Sequence, residues 1–500
     1  MEHCKETPAA HFDVLIIGAG ISGIDAAHHL NTLRPGTSYA ILESKSEIGG
    51  TWRTHKFPGI RSDSDLFTFG FAWKPWMGVP VATAAEILAY LEEAVDEIGA
   101  REKIKFDHKV LQADWCSDSC VWRVEVEDGA GNVQTLTCGF LWTCAGYYNH
   151  AKGYTPHWAG MDDFIGTLVH PQCWPEGLKT EGKKVVLIGS GATAATILPA
   201  LAGKAAALTM LQRSPTYYMA RPQIDEFTET LNALDLPKEW YHEIMRRRFL
   251  HESEVFVERT KVEPDVVAAE LVGVARTHLG DDYDVETHFT PSYAPWKQRV
   301  ARIPDGDLFT AIRDGFVDVV TDEIERFTAT GLVLKSGKVL DADIIVSATG
   351  LNLTMFGDVV LKVDGSVVDP AKTFTHRGVM FSGLPNLANV FGYFRSSWTM
   401  RAGLVSAYVC RLLEFIETMD IHAVTPQLRD EDGDMAQGPW IDPENFNAGY
   451  VMRSLDIMPR QGNKQPWIMT QDYYRDRVDL PAADLEDGTL VFERAKTRSA

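Results

Sequence analysis

The 500-residue chain is poor in cysteine, in basic charge and in long apolar runs. Its seven cysteines are Cys4, Cys116, Cys120, Cys138, Cys144, Cys173 and Cys410, and no two stand in a Cys-x2-Cys or Cys-x4-Cys spacing. That scarcity argues against a disulfide framework and against dithiol redox chemistry, and it suits free thiols in a reducing compartment. No metal site is expected. Lys and Arg number 48 against 69 Asp and Glu, a formal charge of -21. Nucleic acid is excluded as a partner, because counterion release needs a basic surface, and an anionic membrane surface is equally unsuitable. Most of the acidity is expected on solvated faces. No run of 18 apolar residues occurs, and the opening MEHCKETPAAHFDV lacks an apolar signal core. No transmembrane segment is therefore expected, and a cytoplasmic location is the default. The length exceeds one ordinary core and predicts two or three domains.

What is present is organised around two similar signals. Asp13–Ile17 is a short apolar run ending in Gly18, the signature of a buried parallel strand. A helical stretch follows from Ile21 to Leu33 and stops at Arg34-Pro35-Gly36. Tyr39–Leu42 is a second strand, with Glu43 at its end. Gly18, Gly20 and Gly23 fit GxGxxG: one glycine for the turn, one for close approach of a pyrophosphate, one for helix packing. The helix N-terminus offers N–H groups to phosphate, and Glu43, 20 positions after Gly23, suits ribose hydroxyls. A lone GxGxxG is weak evidence, but here strand, turn, helix, second strand and acid agree.

Lys184–Ile188 repeats the pattern, followed by Gly189, Ser190, Gly191, Ala192, Thr193 and Ala194, with alanine for the third glycine. Its second strand, Leu208–Gln212, ends on Arg213 and Ser214 instead of an acid. A cation there suits the 2′-phosphate of NADPH, where an acid would suit NADH; a solvated arginine beside a turn is the bland alternative. Two dissimilar nucleotide sites in one chain imply electron transfer between two carriers, a nicotinamide giving hydride and a flavin accepting it.

Between and around these units, Thr83–Glu86 is a capping box that opens a helix closed by Gly99. Lys109–Cys144 reads as a β-meander with an Asp128–Gly129 turn. Pro222–Gly280 is polar and helical in character, Leu332–Gly350 returns to strands, Leu404–Met419 reads as an amphipathic helix, and Thr425–Pro443 as an acidic surface loop. The fold class is α/β, with two Rossmann-like dinucleotide-binding domains, one for FAD and one for NADP, and a mostly helical insertion. The boundaries follow as residues 1–145 (FAD-binding, first part), 146–221 (NADP-binding, first part), 222–295 (insertion), 296–335 (NADP-binding, second part) and 336–500 (FAD-binding, second part, with the substrate-pocket region).

Three further stretches carry a family resemblance. Gly49-Gly50-Thr51-Trp52 followed by Phe57-Pro58-Gly59-Ile60-Arg61-Ser62-Asp63 resembles the FAD-binding stretch of class B flavin monooxygenases. Phe164-x-Gly166-x3-His170-x3-Trp174-Pro175 fits the Baeyer–Villiger fingerprint at each defined position, and Ser347-Ala-Thr-Gly350 resembles the family's late strand end. Gly392–Tyr393 and Ser397–Trp398 resemble one subgroup, that of the mycobacterial ethionamide-activating monooxygenase. The resemblance implies an NADPH-dependent Baeyer–Villiger monooxygenase with FAD. It would insert one oxygen atom of O2 into a small ketone through a flavin C4a-peroxide, giving an ester or lactone, and would also accept sulfur compounds such as sulfides or thioamides. It implies FAD contacts at Ser22, Glu43, Gly50, Thr51, Trp52, Asp63 and Val110, and NADP contacts at Arg61, Ser62, Asp63, the Gly189–Thr193 turn, Arg213 and Ser214. It implies Arg299 as the catalytic arginine, with Asp63 able to hold it by a bidentate pair. One departure is Gln298, where many members carry lysine; this weakens the NADPH preference.

Residue chemistry agrees with that role. A guanidinium stays charged at any working pH and favours an oxyanion beside it. His170 reads as structural, coupling the two domains. Trp174 and Trp398 fit ordinary packing. The competing readings are a monooxygenase acting on amine or sulfide heteroatoms, a disulfide reductase and a non-catalytic flavin-binding protein. The missing cysteine pair argues against the reductase, and the retained Arg299 and NADP fingerprint against the non-catalytic protein. The natural substrate is open, and so is a homo-oligomer.

Overall fold

A computed structural model describes residues 10–494; Cys4 and most of the N-terminal stretch lie outside them. The first glycine-rich signal forms as expected. Ala10–Ile17 is a strand, Ile21–Leu33 a helix and Tyr39–Leu42 a parallel neighbour of the first strand. Val14, Leu15 and Ile16 are wholly buried, which a continuous apolar run allows only in the middle of a covered sheet. The meander forms too, as Lys109–Cys116, Val121–Glu127 and Val133–Thr143 in antiparallel register. Its last strand turns parallel to Ala10–Ile17, so meander and nucleotide unit share one nine-stranded sheet. The capping box at Thr83 and Glu86 opens the helix Ala84–Glu97.

The second signal forms a five-stranded parallel sheet, in the order Asp318–Thr321, Ala207–Gln212, Lys184–Ile188, Ile344–Ser347 and Thr167–Val169. One expected boundary moves here. Ile344–Ser347 was grouped with 336–500, yet it pairs with Lys184–Ile188 and is buried in the second sheet. Its three apolar residues, Ile344, Ile345 and Val346, gain more between two parallel neighbours than on the edge of the first sheet. The insertion is helical: Glu226–Ala233, Lys238–Val262, Pro264–Leu279 and Val285–Phe289.

Two C-terminal expectations need correction. The helix expected at Leu404 begins at Trp398 and runs to Thr418, and it has no broad wet face. Arg401 and Ser406 are fully buried on it. They are tolerated because both are paired: Arg401 with Asp476 and with the Thr470 carbonyl at 3.0 Å, Ser406 with Asp25 at 2.8 Å. Thr425–Pro443 is only partly a surface loop. Ala423–Pro426 pairs with Leu490–Glu493, and Trp440 is buried. The acidic character of that stretch is internal as well: Asp432 is buried, accepting from Arg429 and from the Trp467 indole, each at 3.0 Å. Among the described residues, no helix is long and apolar enough to cross a membrane.

Candidate functional site

The first glycine turn is built so that side chains cannot enter. Gly18 has φ +101°, and a Cβ there would lie 2.9 Å from the Cys144 carbonyl oxygen. A Cβ on Gly23 would stand 1.9 Å from the Gly18 oxygen, so helix and strand meet only if this residue is glycine. A second glycine turn closes over the first: Gly49 N–H donates to the Ala19 carbonyl at 3.1 Å, and a Cβ on Gly50 would meet the Gly20 Cα at 3.3 Å. Gly50, Thr51 and Trp52 thus face Gly20 and Ser22 across a bare backbone cradle of the kind a dinucleotide pyrophosphate occupies. Glu43 is buried, one oxygen accepting from Ala19 N–H at 2.8 Å and the other from Lys45 N–H at 3.0 Å. Those bonds aim the carboxylate at the mouth of the turn, where ribose hydroxyls would lie. Val110 is buried beside the same strand end, which the His108 N–H ties down by donating to the Glu43 carbonyl at 2.8 Å. These features fit FAD.

The second turn has the same opening and a looser end. Gly189 has φ +122°, and a Cβ would strike the Ala348 oxygen at 2.4 Å, whereas a Cβ on Gly191 meets nothing within 4 Å. Ala194 is fully buried, so the third position holds a methyl group here. Ser190 Oγ donates to the Ser214 carbonyl at 3.2 Å and lies 2.9 Å from Thr216 Oγ1, fixing the second strand's exit against the turn. Arg213 and Ser214 are exposed, and no carboxylate among the described residues lies within ion-pair distance of Arg213. A free cation at this exit fits the 2′-phosphate of NADPH.

Arg61, Ser62 and Asp63 lie between the two units and are used differently. Arg61 spans the joint: Nη2 donates to Asp307 Oδ1 and to the Ala195 carbonyl, both at 3.2 Å, while Nη1 pairs with Asp307 at 2.5 Å. Ser62 is buried, its hydroxyl donating to the Ser64 carbonyl at 2.7 Å. Asp63 turns to Arg299, with Oδ2 2.6 Å from Nε. The expected pairing of Asp63 with Arg299 is thus present. Burial alone would lower the pKa of Arg299; the Asp63 carboxylate, with Tyr450, Tyr147 and Tyr148 nearby, outweighs this and holds it above the ordinary arginine value.

Arg299 follows a strained bend. Trp296 has φ +62°, a conformation that a bulky residue rarely adopts. The guanidinium lines a small cavity, partly open to solvent, together with Asp63, Trp296, Phe394 and Met400. An aromatic wall missed by the sequence reading connects it to the first turn. The Trp398 indole donates to Ser22 Oγ at 2.7 Å and stacks on Tyr147 at 5.0 Å, and the Tyr147 hydroxyl donates to that of Tyr148 at 2.8 Å. Trp398, read as packing, is thus also a link to the nucleotide turn. A signal existed: Tyr147 and Tyr148 follow the C-terminal end of the strand Val133–Thr143, the end where parallel sheets bind ligands. Trp52 packs edge-on against Phe69 at 5.7 Å.

His170 is fully satisfied as a neutral ring. Nε2–H donates to the Gly350 carbonyl at 2.9 Å, and Nδ1 accepts from the Gln172 N–H at 3.1 Å. The fingerprint histidine is therefore a clasp on the end of Ile344–Ser347. Trp174 packs against the core of the second sheet.

Comparison with known proteins agrees with this geometry. Residues 16–76 match the NAD(P)-binding Rossmann-like domain, and residues 81–235 the flavin-binding monooxygenase-like family. The FAD-containing monooxygenase EthA of Mycobacterium tuberculosis is 44% identical over 487 residues, covering 97% of this chain and 98% of the relative. The probable FAD-binding monooxygenase AlmA of Acinetobacter baylyi is 42% identical over 488 residues, covering 97% and 96%. A solved structure of an oxidized steroid monooxygenase bound to NADP superimposes with a TM-score of 0.69 at 24% identity, over 84% of this chain and 88% of that one. At that identity the likeness speaks for the fold.

Proposed function

This chain belongs to the family of FAD-containing, flavin-binding monooxygenases, and from that premise we propose that it is a Baeyer–Villiger enzyme, inserting one oxygen atom of O2 into ketones to give esters or lactones. It is an FAD flavoprotein with NADPH as reductant. The observation that carries the ketone reading is the pairing of Arg299 with Asp63 at 2.6 Å, which holds a guanidinium at the edge of the cavity. Held by the paired glycine turns and Glu43, FAD would supply the redox chemistry that couples NADPH oxidation to the use of O2.

The chain's own residues orient and stabilise. Glu43 and the paired glycine turns hold one nucleotide. Ser190, Thr193, Arg213 and Ser214 hold the other, and Arg61 fixes the distance between the units. Asp63 holds Arg299 in place. Its guanidinium would stabilise the negative charge that develops on the carbonyl oxygen under attack. The aromatic wall of Tyr147, Phe394 and Trp398 excludes water from that position.

The test is ester formed per NADPH consumed. Arg299→Ala should lower ketone oxygenation about 10²–10³-fold, the usual loss when such a charge-stabilising donor is removed. FAD should remain bound, and NADPH consumption should then release hydrogen peroxide. Arg299→Lys should recover little, since a point charge cannot present the fork. Wild-type coupling in Arg299→Ala would refute the assignment. Oxygenation confined to sulfides or amines would shift the chain to the heteroatom class.

A further inference from the structure

One charge in the Arg299 cavity has no counter-charge. Arg221, Arg299, Arg302 and Arg395 line it, with the carboxylates Asp63, Asp65 and Glu252. Each carboxylate is taken: Asp63 by Arg299 at 2.6 Å, Asp65 by Arg302 at 3.8 Å, and Glu252 by Arg221 at 2.6 Å. Glu252 is also shared with Arg248 from outside this cavity, at 2.7 Å. Arg395 has no acid within ion-pair distance among the described residues. Its Nη2 donates to two backbone carbonyls, of Trp296 at 3.3 Å and of Asn445. Those bonds fix the guanidinium plane, while Nε and Nη1 donate to nothing among the described residues. Burial pulls its pKa down with no neighbouring acid to offset the cost. A half-buried arginine without a counter-ion is unfavourable unless a ligand completes it. In a chain of charge -21, a partner acid would have been easy to supply.

We propose that Arg395 recognises a carboxylate on the substrate, so that the enzyme acts on molecules with an apolar body and an acidic end. The body would lie along Phe249, Phe256, Phe394 and Met400, on the same cavity wall. The inference rests on the reading of this cavity as the oxygenation site and names the substrate class that the site selects.

The experiment compares 9-oxodecanoate with its methyl ester and with 2-decanone, and 4-(methylthio)benzoate with thioanisole, on the FAD-loaded enzyme. Dissociation constants by calorimetry and kcat/KM with NADPH are both measured. The acid should exceed its neutral partners about ten-fold or more, the usual size for a charge-assisted hydrogen bond. In Arg395→Gln that ratio should fall toward one, and in Arg395→Lys it should recover in part. Equal binding of acid and neutral ligands by the wild-type enzyme would overturn the proposal. So would an equal loss on both in Arg395→Gln, which is the mark of a structural role. A KM for NADPH that rises in step with the loss would assign Arg395 to the nucleotide instead. If the thioether pair alone is oxygenated, the ketone reading fails, and the acid-to-neutral ratio on that pair still decides Arg395.

Discussion

The turn at Gly18–Gly23 and the turn at Gly189–Ala194 both join a buried parallel strand to a helix, but they close to different degrees. The first is overbuilt. A second glycine loop lies over it, Gly23 has no room for a methyl group, and Glu43 is buried on two backbone N–H groups. The second is open. Gly191 has free space, Ala194 already carries its Cβ, and Arg213 stands in solvent without an acid. The physical lesson concerns residence. A dry, rigid cradle with a fixed acceptor retains its nucleotide, while an exposed cation reads a phosphate and lets it go, as a reductant exchanged at each turnover requires.

The harshest way to break this contrast is Gly23→Ala. A Cβ 1.9 Å from a backbone oxygen cannot be relieved by a side-chain move. The cost should reach about 3 kcal/mol, the upper end for overpacking. The purified variant should be colourless or lose its FAD absorbance on dilution. Retained yellow colour would show that the first turn is not the tight one.

A charge reversal sharpens the open end. Arg213→Glu should lower the kcat/KM ratio of NADPH to NADH by about ten-fold or more, from a charge-assisted phosphate contact of about 1.5–3 kcal/mol. Gln298 offers no second cation beside Arg299, so the lower end is expected. An unchanged ratio would mean that Arg213 does not face the phosphate.

The joint between the regions should respond to acid. His55 lies just beyond the helix that starts at Thr51, and burial, then Lys45 and His170, lower its pKa to about 4. His150 is lowered to about 4 by burial and by the same lysine, then by His55. Both stay neutral in the folded protein, so the unfolded chain binds more protons below its own pKa near 6.5. Stability is then unaffected above pH 6.5 and falls as pH drops from 6.5 toward 4. For His55 the loss should be on the order of 1–2 kcal/mol at pH 5. Melting temperatures of His55→Gln should decline less steeply over that window than those of the wild type. Parallel curves would show that the burial of His55 is not what costs stability.

The mildest change is Ala194→Gly, which restores the full glycine fingerprint in the second turn. It should cost only about 1 kcal/mol through helix propensity and leave the NADPH preference intact. Melting and the nucleotide ratio would both register a larger role.

Local order was legible in the chain because it is written in nearest neighbours. Val14–Ile17 before Gly18 and Thr83 three residues before Glu86 each carry their own period or cap. The spacing of Gly23, Glu43, Gly189 and Arg213 marked two nucleotide units of unlike chemistry, and similarity to a family pointed to Arg299. What tertiary structure alone decided is which distant pieces meet. Ile344–Ser347 joined the second sheet because it finds two parallel partners there. The helix from Trp398 could bury Arg401 and Ser406 only because Asp476 and Asp25 arrive from 75 and 381 residues away. Arg61 found Asp307, Asp63 found Arg299, and Arg395 was left with carbonyls alone. Such pairings depend on where whole elements pack. A charge carries no mark in the sequence of the partner it will find, or of having none.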